Sequence, residues 1–295
     1  MMIHRTRFAV VLIGDRLCAS IIRGSHVETF VVESEQPAVA LRAELDAREA
    51  SPRSVAIGLP RPAVTVKPIA LPAVGADTRD MVRFELERHV PFPTDDALFD
   101  FTALPDEDLE ADEAGGRRVL VVAADRRVVD TALRIAQEAK LRPLSVTVAA
   151  HDLLALARLP SGERVVWAHR TGDMIDLLFV NDGRLVMSRS LPAVDDTTLA
   201  TEIRRTFGLV KWHACNAVWI SGDAVAPAVA TASALGDLGS PVTAPAYTSA
   251  ARGALGAIEG GPRGALELAI AVALAPANRP LDLLPTPLRP FRLTQ

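Results

Sequence analysis

The chain has 295 residues, room for about two domains of ordinary size, and 49% of them are hydrophobic, enough for sizeable cores. A formal net charge of −4, aromatics at 4% and no long basic stretch exclude a nucleic-acid platform. The N-terminus lacks an apolar stretch before a small-residue cleavage site, and no apolar run nears the ~20 residues that span a bilayer, so a cytoplasmic location is expected.

Residues 8–13 are apolar, Gly14-Asp15 is a turn, 17–22 is a strand, Arg23-Gly24-Ser25 turns again and 27–32 closes a three-stranded meander. A helix is expected over 39–50, ending before Ser51-Pro52. A buried strand follows over 54–59, stopped by Pro60. In 61–72 Val64 and Val66 alternate with Thr65 and Lys67 between prolines, the pattern of an edge strand. Residues 77–90 predict a helix capped by Asp77 or Thr78, with Met81, Val82, Leu86 and Val90 as its stripe, ended by Pro91-Phe92-Pro93. After a strand over 98–104, the acidic stretch 106–116 reads as a solvated hairpin tip. It lacks the glycine and the fixed spacing of a calcium loop. A strand over 117–123, an amphipathic helix over 126–140, a strand over 143–148 and a helix over 149–158 lead to the boundary at 159–162.

A second meander then begins. Strands are expected over 164–168, 174–180 and 184–191, and Asn181-Asp182-Gly183 supplies a hairpin turn of residues that tolerate positive φ. Two meanders, each opening a segment of roughly 150 residues, suggest a duplicated α/β architecture. A helix over 197–207 (Leu199, Ile203, Phe207), a buried strand over 216–220, a helix over 224–234, a short strand over 242–244 and a helix over 263–274 follow. The tail 277–295 is proline-rich and aperiodic, and is expected to be an extended or linker segment. Cys18 and Cys215 sit in or beside apolar segments and read as small buried hydrophobes.

Four stretches, in this order, carry a resemblance. MVRFELERHVPFP at 81–93 is similar to a helix of the type E-x-E-x-x-I-P-F, here Glu85, Glu87, Val90, Pro91 and Phe92. Residues 54–72 look like the strand pair and prolines that precede it. Residues 183–192, with Glu202-Ile203-Arg204-Arg205-Thr206, resemble a G-x-L-x-x-x-R-x-I-P strand and its following helix. Leu281-Asp282-Leu283-Leu284-Pro285 looks like an N-L-L-P signature with Asp282 in the Asn position. Over nearly its whole length the chain resembles the actin-like platform family that includes PilM of type IV pili and the cytoplasmic domain of GspL in type II secretion.

The resemblance implies an α/β, actin-like (RNase H-like, ASKHA) two-lobed fold with a small subdomain inserted in the first lobe. Lobe I would span 1–160 with the insert at about 60–115, lobe II 161–276 and the tail 277–295. It also implies a cytoplasmic scaffold at the inner-membrane face, in a chain that is membrane-anchored beyond residue 295 if it is of the GspL kind. The partners implied are the N-terminal domain of an assembly or secretion ATPase, PilN/PilO-like or GspM-like membrane components, and a second copy of the chain. Arg83, Glu87 and Arg88 on the 77–90 helix, and Leu281, Leu283, Leu284 and Pro285 in the tail, are the expected contacts. Prolines suit a peptide lying in a groove because they reduce the entropy lost on ordering.

Actin-like ATPases cradle phosphate with backbone N–H groups of two glycine-flanked turns and hold Mg²⁺ through carboxylates. Here the first turn is Gly14-Asp15, without the small hydroxyl residues. In the second, Ala168 takes the Asp position and Arg170 the first Gly position, followed by Gly172. Ser221-Gly222 keeps half of the adenosine-side S-G-G. Gly14, Asp15, Arg170, Gly172, Ser221 and Gly222 are thus expected as a relic nucleotide site, with no catalytic residue, no metal site and no cofactor. His169, without a Cys or carboxylate at ligand spacing, reads as structural. The alternatives are a nucleotide-binding ATPase or sugar kinase of the same fold, binding ATP–Mg²⁺, and an FtsA-like polymerising protein. The prolines of 279–295 speak against the amphipathic C-terminal helix that the last would need.

Overall fold

The computed structural model describes residues 6–72, 77–104, 117–223, 235–236 and 238–289. The acidic stretch 106–116, the expected helix 224–234 and the last residues of the tail lie outside the described residues.

Two five-stranded sheets repeat one plan. In the first, β1 (Arg7–Ile13), β2 (Arg16–Arg23) and β3 (His26–Glu33) form the antiparallel meander. β4 (Ser54–Leu59) and β8 (Arg142–Val148) then add in parallel, giving the order β3-β2-β1-β4-β8. In the second, β9 (Arg164–Thr171), β10 (Met174–Asn181) and β11 (Arg184–Pro192) form the meander, and β12 (Ala217–Gly222) and β13 (Val242–Thr243) add in parallel, giving β11-β10-β9-β12-β13. The β10–β11 turn is the expected one, with Asp182 and Gly183 at φ 47° and 73°.

Each sheet is covered on both faces, which is why its central strands read as unbroken apolar runs. Phe8 and Val10 of β1 join the core that holds Leu41 and Leu45 of α1 (Pro37–Ala47) and Val129, Ala132, Leu133 and Ala136 of α3 (Arg126–Glu138). Ala9 and Val11 face the other way. The second sheet does the same: Val166 and Ala168 lie on the side of α4 (Asp196–Val210), and Val165 and Trp167 on the other. The layer between the sheets is α6 (Arg263–Leu274), with the segment Ala149–Leu156 beside it. Residues 264–273 of α6 are buried without a break, as expected of a helix apolar all round. Expected within the second lobe, it packs against strands of both sheets.

The inserted subdomain is a three-stranded antiparallel sheet, β5 (Thr65–Leu71), β7 (Arg117–Asp125) and β6 (Ala97–Ala103), with β7 central and β5 an edge, as its proline predicts. β7 alternates: Val119, Val121 and Ala123 pack under α2 (Thr78–Leu86), while Leu120, Val122 and Ala124 face the main core. The subdomain therefore runs to Asp125 instead of ending near 115.

Other elements depart from expectation as well. α2 is capped by Asp77, whose Oδ1 accepts the Arg79 N–H at 2.7 Å, but it stops at Leu86. Residues 149–156 form a 3₁₀ segment, not an α-helix. α5 (Ser249–Gly256), capped by the Thr248 hydroxyl, was missed. Among the described residues no helix is long and apolar enough to cross a membrane.

Through residue 289 the tail is extended apart from a 3₁₀ turn at Thr286–Leu288, and it is no linker. The Leu283 N–H donates to the Val146 carbonyl at 2.7 Å, and Asp282 Oδ1 accepts the Val146 N–H at 3.0 Å, along the free edge of β8. Leu283 and Leu284 are buried in the same core as Val146 and Leu120. Arg279 anchors the segment: it pairs with buried Asp152 at 3.2 Å and donates to Ser145 Oγ at 3.1 Å.

Candidate functional site

The point where both halves meet is the N-terminus of α6. The turn between β9 and β10, the end of β12 and the β1–β2 hairpin converge there, since Cys18 and Ile13 pack with Ala265 and Leu266. Pro262 precedes α6 and brings no capping oxygen of its own. Asp223 supplies it from across the chain: Oδ1 accepts the Gly264 N–H at 2.6 Å and Oδ2 accepts the Gly172 N–H at 2.6 Å. A carboxylate thus sits on two backbone donors, at a helix N-terminus where the dipole favours an anion.

The backbone closes in behind it. Arg170 O accepts the Asp223 N–H at 3.0 Å. A Cβ on Gly222 or on Gly264 would fall 2.0 Å from the same oxygen. Gly222 also has φ 87°, open to glycine at little cost, and its N–H donates to buried Glu267 Oε2 at 3.1 Å.

Underneath, the polar groups form a closed chain. His169 Nε2 lies 3.0 Å from Gly264 O, which can only accept, so Nε2 carries the proton. Nδ1 then accepts from the Ser221 hydroxyl at 2.8 Å, and Ser221 Oγ in turn accepts the Trp167 indole N–H at 2.8 Å. His169 is fully buried, and burial pushes its pKa down to about 4, so it is a neutral imidazole. Glu267, 3.9 Å away, is not its ion-pair partner; that carboxylate is held by Arg263 at 3.0 Å.

Of the six residues expected at the relic site, Arg170, Gly172, Ser221 and Gly222 come together here. Arg170 does not point at the place of a phosphate. Its guanidinium donates to Asp196 Oδ1 at 3.0 Å, at the start of α4. Gly14 and Asp15 are exposed on the first hairpin, Gly14 at φ 60°. Ala168, read as the vacated Asp position, is buried on the α4 side of the sheet; the neighbour facing α6 is His169. The residue that matters most, Asp223, was passed over. Its signal was present: an aspartate directly after Ser221-Gly222.

The expected partner contacts divide. Arg83 and Arg88 are exposed and loosely paired, to Asp95 and Glu85, both at 3.5 Å, and Glu87 is exposed at the end of α2. Phe84 lies among them, 65% exposed, and was not singled out from sequence. Leu283 and Leu284 cannot serve as free anchors in this state, because the chain buries them in itself. Leu281 and Pro285 are half-buried beside them.

Residues 13–210 match the family described as Type IV pilus assembly protein PilM. Among curated proteins no sequence match is found. Among solved structures, a PilM-PilN type IV pilus biogenesis complex is similar with a TM-score of 0.65 and 17% identity, covering 92% of this chain and 99% of that one. The cytoplasmic domain of EpsL, an inner-membrane component of the type II secretion system of Vibrio cholerae, gives 0.57 and 16%, covering 96% and 99%. A Bacteroides thetaiotaomicron protein with an actin-like ATPase fold and unknown function gives 0.53 and 12%, covering 85% and 95%. The fold is actin-like, as expected.

Proposed function

Because the chain belongs to the type IV pilus assembly protein PilM family, we propose that it is a non-catalytic scaffold of an inner-membrane assembly platform, of the type IV pilus or type II secretion kind. It works at the cytoplasmic face, docks the assembly or secretion ATPase and links it to membrane components. The Asp223 carboxylate on the Gly172 and Gly264 N–H groups supports the non-catalytic part most directly. Those donors are the kind a phosphate would use, and an anion of the chain itself already holds them. Like charges on one set of donors repel, so an incoming phosphate must displace a carboxylate bonded at both oxygens. Arg170 is engaged by Asp196 and Arg263 by Glu267, so neither nearby cation is free of a carboxylate to offset that cost.

The tail supports the link to membrane components. A PilM-PilN complex is among the similar structures, and Leu281-Asp282-Leu283-Leu284-Pro285 resembles the N-L-L-P signature of PilN and GspL. In this chain the segment lies in its own groove, between β8 and the subdomain, with the Asp282 N–H on Asp100 Oδ2 at 3.1 Å. On this reading the chain supplies to its own groove a segment that resembles that signature.

Calorimetric titration with ATP–Mg²⁺, together with a phosphate-release assay, tests the non-catalytic reading. No binding heat at micromolar protein and no turnover are expected; micromolar binding with turnover overturns it. Co-purification with the N-terminal domain of the cognate ATPase tests the docking role, and failure with every candidate ATPase removes it.

A further inference from the structure

A second groove, of about 490 Å³, runs between the facing edges of the subdomain and the second sheet. Its walls are β5 and β11, with the end of α2 at one side and α4 at the other. Among the described residues the titratable side chains that line it are Arg61, Lys67, His89, Arg189 and Arg205.

Arg61 sits at the base and is buried. Its Nε donates to Ser188 Oγ at 2.7 Å, Nη2 to Ser188 O at 2.6 Å and Nη1 to Val64 O at 2.6 Å. All three acceptors are neutral. A guanidinium carries five N–H groups, so two remain beyond these bonds. A buried cation held only by neutral oxygens is costly unless something anionic compensates it. Asp176 lies close enough to act on it through space, but among the described residues no carboxylate touches it. At the rim, Glu202 offsets part of the charge, ion-paired with Arg189 at 2.9 Å and lying 3.9 Å from Arg205. Lys67 is exposed. Leu209, 56% exposed, offers an apolar contact at the α4 side, with buried Met187 at the base.

We propose that this groove docks an acidic peptide segment of a protein partner, one carboxylate reaching toward Arg61, others meeting Lys67 and Arg205, and an apolar side chain resting on Leu209. The surface is distinct from the tail groove and from the α6 N-terminus, and the inference holds whichever assembly the scaffold serves. A peptide fits better than a membrane surface: the cation that no described carboxylate touches is at the base of a concave groove, where the headgroups of a flat bilayer do not reach. The apolar contact is one side chain wide.

The probe is a short fluorescein-labelled peptide of glutamates around a central leucine, followed by anisotropy at low and at physiological salt. Saturable binding that weakens with salt is expected. The double variant Lys67→Glu/Arg205→Glu changes only rim residues and should bind about tenfold more weakly or worse. Arg134→Glu, an exposed charge reversal on α3 far from the groove, should leave binding unchanged. Leu209→Ser should weaken it less than the double reversal. Absence of saturable binding overturns the proposal. So does equal binding of the peptide with glutamine in place of glutamate, or an equal effect of Arg134→Glu. Binding of phosphatidylglycerol vesicles that needs Lys67 and Arg205, without peptide binding, overturns it in favour of a membrane surface.

Discussion

His169 shows how a single polar residue is fixed by its neighbours. Gly264 O forces the proton onto Nε2, and Ser221 and Trp167 complete the chain, so the ring is held neutral in a dry place. Its pKa falls from 6.5 to about 4. Between those values the unfolded chain binds a proton that the folded chain refuses, so this contribution is full above pH 6.5 and is lost as pH falls toward 4. His151, lowered to about 3 by burial, acts in the same sense. Asp176, raised to about 6 by burial, acts oppositely: its contribution is present below 3.8 and is lost as pH rises through 6. The net slope mixes these with the other shifted carboxylates, Asp152 and Glu267 among them, and the difference between proteins isolates one. Urea melts of His169→Gln should show lower stability at pH 7, with a smaller further loss between pH 7 and pH 5 than the parent. An unchanged pH dependence contradicts the assignment. Arg279 makes a second case. Arg279→Met strands Asp152, whose carboxyl burial already pushes upward, and should cost about 3 kcal/mol or more. Adding Asp152→Asn should recover part of that loss in the same melts.

Among elements, α6 decides most of the architecture. Its sequence, RGALELAIAVAL, reads as a helix from any scale of propensity, but its position between two sheets does not follow from that. Small residues allow the close approach. Gly58 in β4 is one of them: a Cβ there would lie 2.9 Å from both Val272 Cγ2 and Ala149 Cβ. Gly58→Ala should therefore destabilise by about 1–3 kcal/mol through overpacking. Val272→Ala removes one of the colliding methyl groups, so the double variant should lose less than the sum of the two singles. Strict additivity in denaturant melts would show that the two do not meet. α2 and the 149–156 segment illustrate the opposite limit. Both are expected as α-helices, yet one ends a turn early and the other is 3₁₀, because tertiary packing decides where a helix may stop.

At the scale of the molecule the tail is the unexpected part. It covers the open edge of β8, contributes Leu283 and Leu284 to the main core and is clamped by Arg279 and Arg289, the latter donating to Leu284 O at 2.8 Å. Truncation after Pro276 should remove about 3–6 kcal/mol of apolar burial and leave the Val146 edge unpaired, so the shortened protein should melt earlier and self-associate. Sedimentation and thermal melts of the two lengths check this; an equally stable monomer contradicts it. From residue order alone the tail looked like a linker, because prolines break every period. What a broken period does not reveal is whether an irregular segment has a groove to lie in.

The local alphabet of this protein was determined by sequence. Two meanders with glycine turns, the Asn181-Asp182-Gly183 hairpin, the Asp77 cap and the edge strand with its proline all follow from side-chain chemistry within a few residues. The duplicated sheets followed from their repetition, and the family from the order of four short stretches. Tertiary structure alone decided the rest. It set which strand face each side chain takes, so that His169 and not Ala168 meets α6, and it brought Asp223 to Gly172 and Gly264. It also placed α6 between the lobes and folded the tail back onto β8. Each of these joins residues far apart in the chain, and their contact depends on distances that no local pattern encodes.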